Sequence, residues 1–497
     1  MTSAAPDTSQ HCNPLLQHLE MPNFHAGLGD DFADPVAIQP LENPRLVDRS
    51  PEAAALLDLD EPDSQELVSL LNGDCLDARM QPLASVYAGH QFGSWVPQLG
   101  DGRAHLLGQV RGKNGQLWEL QLKGSGQTPY SRFGDGRAVL RSSIREYLCS
   151  EAMAGLGIPT TRALALIDSD SPVQRERTER GAIVLRMAPS FIRFGHFELF
   201  ASRHRMDMVD KLIDHILLHH RPELREADNP ALALFEDVIE RTARLMAQWQ
   251  LQGFCHGVMN TDNMSILGLT IDYGPFGFLD TYNPAHICNH SDHGGRYSWS
   301  RQADIGWWNL ACLGNSLLER ISLKQAQESL EVYRDHYQAG FRSLMKAKLG
   351  LQDLPGVEDD SLIEDWLQLL YQQSADFSLS FRSLSEFDES AGHPLHKGGL
   401  KPSTALNNWL ERYRQRLQKQ AGTMADRHSA MQAVNPLYLL RNHLAQRAID
   451  RAEQGDYSEV ARLRKVLATP FTRHEGADDL AEPPPSNEQG IAVSCSS

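Results

Sequence analysis

The sequence predicts an α+β protein of two lobes, a small β-rich lobe followed by a larger helical one, with an extension at each end. Three observations predict it. Short apolar runs separated by glycine turns crowd residues 81–190. From Phe197 the apolar spacing becomes that of amphipathic helices and holds to about Phe471. The last stretch, EGADDLAEPPPSNEQGIAVSCSS, is acidic and rich in Pro and Ser. The expected division is therefore an N-terminal extension over 1–80, a β-rich lobe over 81–190, a helical lobe over 191–471 and a flexible acidic tail over 472–497.

The elements follow in chain order. Pro51–Leu59 reads as a short helix. LASVYAGHQFGSWVPQLGDGRAHLLGQV is glycine-rich and then apolar, and LWELQLKG is a short alternating strand. RGKNG between them is a tight turn, which makes the pair a hairpin. RAVLRSSIREYLCSEAMAGLG has helical spacing and stops at Gly-Ile-Pro. TRALALID and GAIVLRMA are strands, separated by the charged surface loop DSDSPVQRERTERG. NPALALFEDVIERTARLMAQWQLQGF is a long amphipathic helix closed by Gly253. A ligand site is expected in the cleft between the lobes.

The chain has 497 residues, 41% of them hydrophobic, and a net charge of −17. Such acidity argues against a general binder of nucleic acid, whose footprint is basic. No run approaches a membrane span, so no membrane partner is expected. The first basic side chain is Arg45, and the N-terminal stretch reads neither as a secretory signal nor as a transit peptide. Seven cysteines without a C-x-x-C pair suit a reducing cytoplasm.

Gly100-Asp101-Gly102-Arg103 is a turn whose backbone could approach phosphate closely, although such a turn is more often simply a hairpin. Lys123 ends the next strand, and Glu146 follows in a helix. A strand lysine held by a helix glutamate after a glycine turn is the phosphate-gripping arrangement of protein kinases. The plain alternative is two unrelated surface charges. A second cluster favours the kinase-like reading. His256-Gly257 opens a loop, Asn263 follows, and Asp272-Tyr273-Gly274 comes after a short apolar stretch. Asn263 and Asp272 supply the hard oxygen ligands that Mg²⁺ or Mn²⁺ takes. Five residues before Asn263, where a kinase has its catalytic aspartate, stands Val258, which cannot accept a proton. The carboxylate left in that loop is Asp262. Arg186 and Arg193 flank Met187–Ile192 and have the planar fork that suits phosphate oxygens. A second Gly-Asp-Gly-Arg run, Gly134–Arg137, lies between Lys123 and the helix. An ordinary kinase does not need one there. Asp304, near a helix start in RQADIGWWNLA, resembles the aspartate that braces a kinase catalytic loop. His286, Cys288, His290 and His293 lack standard zinc-finger spacing and read as part of an activation-type segment.

Taken together, YAGHQFG, GDGRA, KGSGQTPYSRFGDGRAVLRSSIREYL, HGVMNTDN, IDYGPFGFLD and a C-terminal Cys-Ser-Ser resemble the selenoprotein O family. These are kinase-fold protein adenylyltransferases, and the blocks cover most of residues 80–310. The resemblance implies a two-lobed protein-kinase-like fold that binds ATP in a flipped orientation. AMP then passes to a Ser, Thr or Tyr hydroxyl of a protein substrate, and pyrophosphate leaves. It implies Asp262 as the proton acceptor and Asn263 and Asp272 as ligands of the divalent metal. Gly100, Gly102, Arg103, Lys123, Asp135, Gly136, Arg186 and Arg193 become nucleotide contacts, and Glu146 the partner of Lys123. The other readings are a protein or small-molecule kinase using Asp262, and a non-catalytic scaffold that binds nucleotide. Finally, a thiol on a mobile tail suits a reversible cross-link. The expectation is that oxidation joins Cys495 to Cys288 and lowers activity until a cytoplasmic thiol reductant frees it. Cys12 is another partner for Cys495, and an unpaired tail thiol is the plain alternative.

Overall fold

The computed structural model describes residues 14–387, 394–491 and 493. It is a mixed α/β structure built on a large antiparallel sheet. The sheet runs β1 (Ala33–Pro35), β3 (Leu83–Gln91), β5 (Ala104–Arg111), β6 (Leu117–Lys123), β9 (Thr178–Ala188), β8 (Arg162–Gln174) and β2 (Arg45–Arg49). β4 (Ser94–Gly100) pairs with β3, and the short β7 (Ala138–Val139) pairs with β9.

Strand alternation decides what each face carries. In β6, Trp118, Leu120 and Leu122 pack against α1 (Pro51–Leu56) and α2 (Ser64–Asn72), together with Ile183 and Leu185 of β9. Each fully buried side chain of this size stabilises by roughly 2 kcal/mol. The intervening residues Glu119, Gln121 and Lys123 necessarily point to the opposite face. Ala182 and Val184 of β9 line that face and pack on Ile144 and Leu148 of α3 (Leu140–Gly155). Residues from the first 80 thus cover one face of the sheet and supply two of its strands.

The segment DSDSPVQRERTERG, read from its charge as a loop, is mostly strand. β8 and β9 continue past it and turn at Arg175–Arg177, with a register shift between Asp168 and Pro172. Hairpin hydrogen bonds outweigh the polar composition, and several of the polar side chains are buried and paired, Asp168 with Arg180 and Ser169 with the Gly181 carbonyl. The remaining elements are mainly helical. α4 (Phe194–Ser202), α5 (Met206–His219), α6 (Pro230–Leu251) and α7 (Gln302–Ser316) surround a small two-stranded ribbon, β10 (Phe254–Cys255) with β11 (Gly277–Phe278). Helices between Tyr333 and Gln432 form a second apolar core around Trp366, Trp409 and Tyr413, while those over Asn442–Ala452 and Ser458–Leu467 join the main core. In the segment from 472, read from composition as a flexible tail, the described residues pack against the rest of the structure. Leu480 and Val493 are buried, and Asp479 and Glu488 pair with Arg462 and Arg447. Cys495 lies outside the described residues, as does Cys12. No helix among the described residues is long and apolar enough to cross a membrane.

Candidate functional site

A cleft of about 500 Å³ opens between the sheet and the helical portion. Gly100, Gly102, Arg103, Lys123, Asp135, Gly136, Arg186, Asp262, Asn263 and Asp272 all line it. Arg193 reaches it through Asp272 and Asp262, and Glu146 stands behind Lys123.

The charged centre follows from the alternation of β6 and β9. Lys123 Nζ lies 2.7 Å from Glu146 Oε2 and 3.3 Å from Asp272 Oδ1. Arg186 Nη1 donates to Glu146 Oε1 at 2.9 Å and to Asp272 Oδ1 at 2.8 Å, and its other terminal nitrogen reaches Gln121. Arg193, the residue before α4, donates to Asp272 Oδ2 at 2.6 Å and to the Asp262 carbonyl at 2.9 Å. Its guanidinium stacks over the Tyr87 ring, 4.7 Å from the centroid. Three cations therefore meet at one carboxylate. Burial alone would push Asp272 up, but Arg193, Lys123 and Arg186 hold it well below the usual carboxylate range. Burial pushes the Lys123 ammonium down, against the pull of Glu146 and Asp272. Asp272 adopts a left-handed backbone with φ of 57°, a strain that non-glycine residues carry only where the surroundings enforce it.

Asp262 is different in kind. It sits in a short 3₁₀ turn, Thr261–Asn263, on the loop after β10. Its Oδ2 accepts only a long bond from Gln91 Nε2, 3.4 Å, and its Oδ1 is buried without a hydrogen-bond partner among the described residues. Burial raises its carboxyl to about 7, against the opposing pull of Arg193 and the Gln91 contact. A carboxylate poised there can take a proton near neutrality. Asn263 donates its amide to the Val258 carbonyl at 2.9 Å, which leaves its carbonyl oxygen for another partner.

The loop is braced from α7, but not by Asp304, which is exposed. Gln302 does that work: its Nε2 donates to the Phe254 carbonyl and its Oε1 accepts from His256 N, both at 2.9 Å. Asn309 Nδ2 adds a bond to the Met259 carbonyl at 3.0 Å. An uncharged amide can satisfy a donor and an acceptor at once, which a carboxylate cannot. Gln302, Asn309, Gln121 and Gln91 were not singled out in the sequence, because amides carry no spacing signature.

The two glycine turns meet. A Cβ on Gly100 would lie 2.4 Å from the Tyr130 ring, and one on Gly136, at φ of 70°, 2.2 Å from the Gly126 backbone. The segment between Lys123 and α3 thus folds over the Gly100–Arg103 turn, with Thr128 Oγ1 donating to the Asp101 carbonyl at 2.8 Å. Asp135 pairs with Arg175 at 2.7 Å, so its carboxylate is already committed. A larger cavity of about 740 Å³ lies elsewhere, beside Arg111, Arg221, Arg241 and Arg244. Those arginines are matched by Glu20, Asp237 and Glu240.

A family model described as Protein adenylyltransferase SelO matches residues 15–468. The chain belongs to the SelO family of protein adenylyltransferases. It is 50% identical over 485 residues to a protein named "Protein nucleotidyltransferase YdiU" from Pseudomonas fluorescens strain Pf-5, covering 97% of this chain and 99% of that one. A protein of the same name from Myxococcus xanthus is 49% identical over 487 residues, with the same coverage. Another from Pseudomonas aeruginosa strain UCBPP-PA14 is 47% identical over 484 residues, covering 97% and 99%.

Proposed function

We propose that this protein transfers AMP from ATP to Ser, Thr or Tyr hydroxyls of protein substrates and releases pyrophosphate. The observation that carries the reading is Asp262. It is a buried carboxyl with a free oxygen, titrating at about 7, on the wall of a cleft rich in phosphate-binding cations. Its place beside Asn263, four residues past Val258, argues against ordinary γ-phosphate transfer. The residues fit the expected parts. Asp272 and the free carbonyl oxygen of Asn263 are hard oxygen donors that would hold Mg²⁺ or Mn²⁺. Such an ion supplies charge neutralisation to the triphosphate. Lys123, Arg186 and Arg193 would grip phosphate oxygens, with Glu146 orienting Lys123 and Arg186. Arg103 and the Gly100–Gly102 and Gly136 turns would bound the nucleotide, giving a flipped triphosphate somewhere to lie. Asp262 would accept the proton of the attacking hydroxyl as it meets the α-phosphorus. The arrangement of sheet, α3 and helical portion suits a two-lobed kinase-like fold, with the lobes over 81–190 and 191–471.

A redox control at Cys288 belongs to the same reading. Cys288 is buried, with its thiol donating to the Cys255 carbonyl at 3.3 Å. Val493 bridges to Asn289, and His290 N donates to its carbonyl at 3.0 Å. That brings Val493, two residues before Cys495 in sequence, to the residue beside Cys288, which supports a Cys288–Cys495 link opened by a thiol reductant in the cytoplasm. The function is tested by mass spectrometry of acceptor proteins after incubation with ATP and a divalent metal. The expected product is AMP on a hydroxyl with pyrophosphate released; phosphate alone on the acceptor overturns the reading.

A further inference from the structure

Outside the charged centre, His90, Glu198 and Cys312 converge from elements far apart in sequence. His90 is in β3, Glu198 in α4 and Cys312 in α7. His90 Nδ1 lies 2.6 Å from Glu198 Oε1, and one donor atom from each of the three side chains lies within 4.8 Å of the others. A tetrahedral zinc ion, bonded at ~2.0–2.3 Å, keeps its donor atoms roughly 3.3–3.8 Å apart.

A second observation points to a ligand. The Glu198 side chain is only 3% exposed, and its Oε2 has no hydrogen-bond partner among the described residues. Burial raises the carboxyl's proton affinity, outweighing the Thr261 hydroxyl and His90, which both face the carboxyl and draw it down. Its sole ion-pair partner among the described residues is His90, itself charged only when protonated. A buried carboxylate oxygen left this way is costly, and a cation removes the cost. Burial likewise pushes the Cys312 thiol up to about 12, although Arg296 nearby pulls the other way. A metal would hold it as thiolate.

We propose that His90, Glu198 and Cys312 bind a divalent transition metal of zinc's class, at a site separate from Asp272 and Asn263. The donor set decides the class. Imidazole with thiolate suits a borderline-soft ion and is foreign to Mg²⁺, which takes oxygen ligands. The His90 side chain is 27% exposed, so water can complete the coordination. Binding releases the thiol proton to solvent, and the ring proton of His90 sits on Nε2 while Nδ1 holds the metal. Affinity therefore rises with pH.

The consequence is mechanical. The His90 backbone N donates to Thr261 Oγ1 at 2.8 Å, and the next residue, Gln91, reaches Asp262. A metal joining β3 to α4 and α7 would pin the strand that contacts the proton-accepting loop.

The test uses the full-length protein, stripped with a chelator, dialysed, and titrated with Co²⁺ alone. The readout is thiolate-to-cobalt charge-transfer absorption in the near ultraviolet. We expect a band that saturates at one equivalent and is bleached by Zn²⁺. It should vanish in Cys312→Ser and in His90→Gln, each checked for native circular dichroism, and persist in Asp272→Asn. No thiolate band in the wild-type protein under excess Co²⁺ overturns the proposal. So does a band that survives in Cys312→Ser, or one that disappears in Asp272→Asn. Because Asp272→Asn removes the metal ligand of the transfer reaction, this result is independent of whether AMP is transferred.

Discussion

Replacing Asp262 with Asn separates catalysis from stability. The side chain keeps its shape and its contact with Gln91, but it can no longer take a proton. Loss of a positioned general base costs roughly 10²–10⁴ in turnover. Stability should move the other way. The folded carboxyl titrates at about 7, against ~3.9 for a free aspartate. Converted at ~1.36 kcal/mol per pH unit, that difference is on the order of 4 kcal/mol of burial cost. The sign follows from linkage. Below about pH 4 the carboxyl is protonated in both folded and unfolded chains, and the cost is absent. Between about pH 4 and 7 unfolding releases a proton, so wild-type stability falls as pH rises. Above 7 the cost is fully present. Asp262→Asn should therefore unfold at a higher urea midpoint than wild type at pH 8, with the gap closing toward pH 4. In the wild type, kcat/KM should fall about tenfold per pH unit below 7. A variant that keeps turnover, or that is no more stable than wild type at pH 8, refutes the assignment of Asp262.

Asp272→Asn should abolish transfer and also free Lys123, Arg186 and Arg193 from their shared carboxylate. Equilibrium binding should then show metal-free ATP held more tightly than by wild type, with the metal dependence gone; unchanged metal dependence would contradict this. Glu146→Gln leaves Lys123 and Arg186 short of a buried partner, so urea titration should show a loss of about 3 kcal/mol. Nucleotide Kd should rise about tenfold, and a variant matching wild type in both would count against the orienting role. Gly136→Ala demands a left-handed backbone and a Cβ inside the Gly126 peptide, and should cost at least ~2 kcal/mol. Gly294→Ala, where a Cβ meets nothing within 4 Å, is the matched control expected to be near neutral in the same urea titration.

Much of the site was legible because it depends on periodicity and order. The alternation in LWELQLK places Leu120 and Leu122 under α1 and α2 and sends Lys123 to the cleft face. The order of Lys123, Glu146, Asn263 and Asp272 along the chain sufficed to bring them together. What stayed hidden depends on contacts between distant elements. Gln302 rather than Asp304 braces the loop, since an amide's two-sided hydrogen bonding matters there and charge does not. The β8–β9 hairpin extends through a highly charged segment, where ladder pairing overrides composition. The acidic tail packs by means of two arginine pairs that its own sequence could not announce. His90, Glu198 and Cys312 come from three elements, and no spacing links them.

The most direct measurement incubates the full-length protein with acceptor protein and ATP labelled at either the α- or the γ-phosphate. On the proposed assignment of Asp262 as proton acceptor, with Val258 five residues before Asn263, label should enter protein from the α-position and not from the γ-position. Label from the γ-position alone would contradict the account.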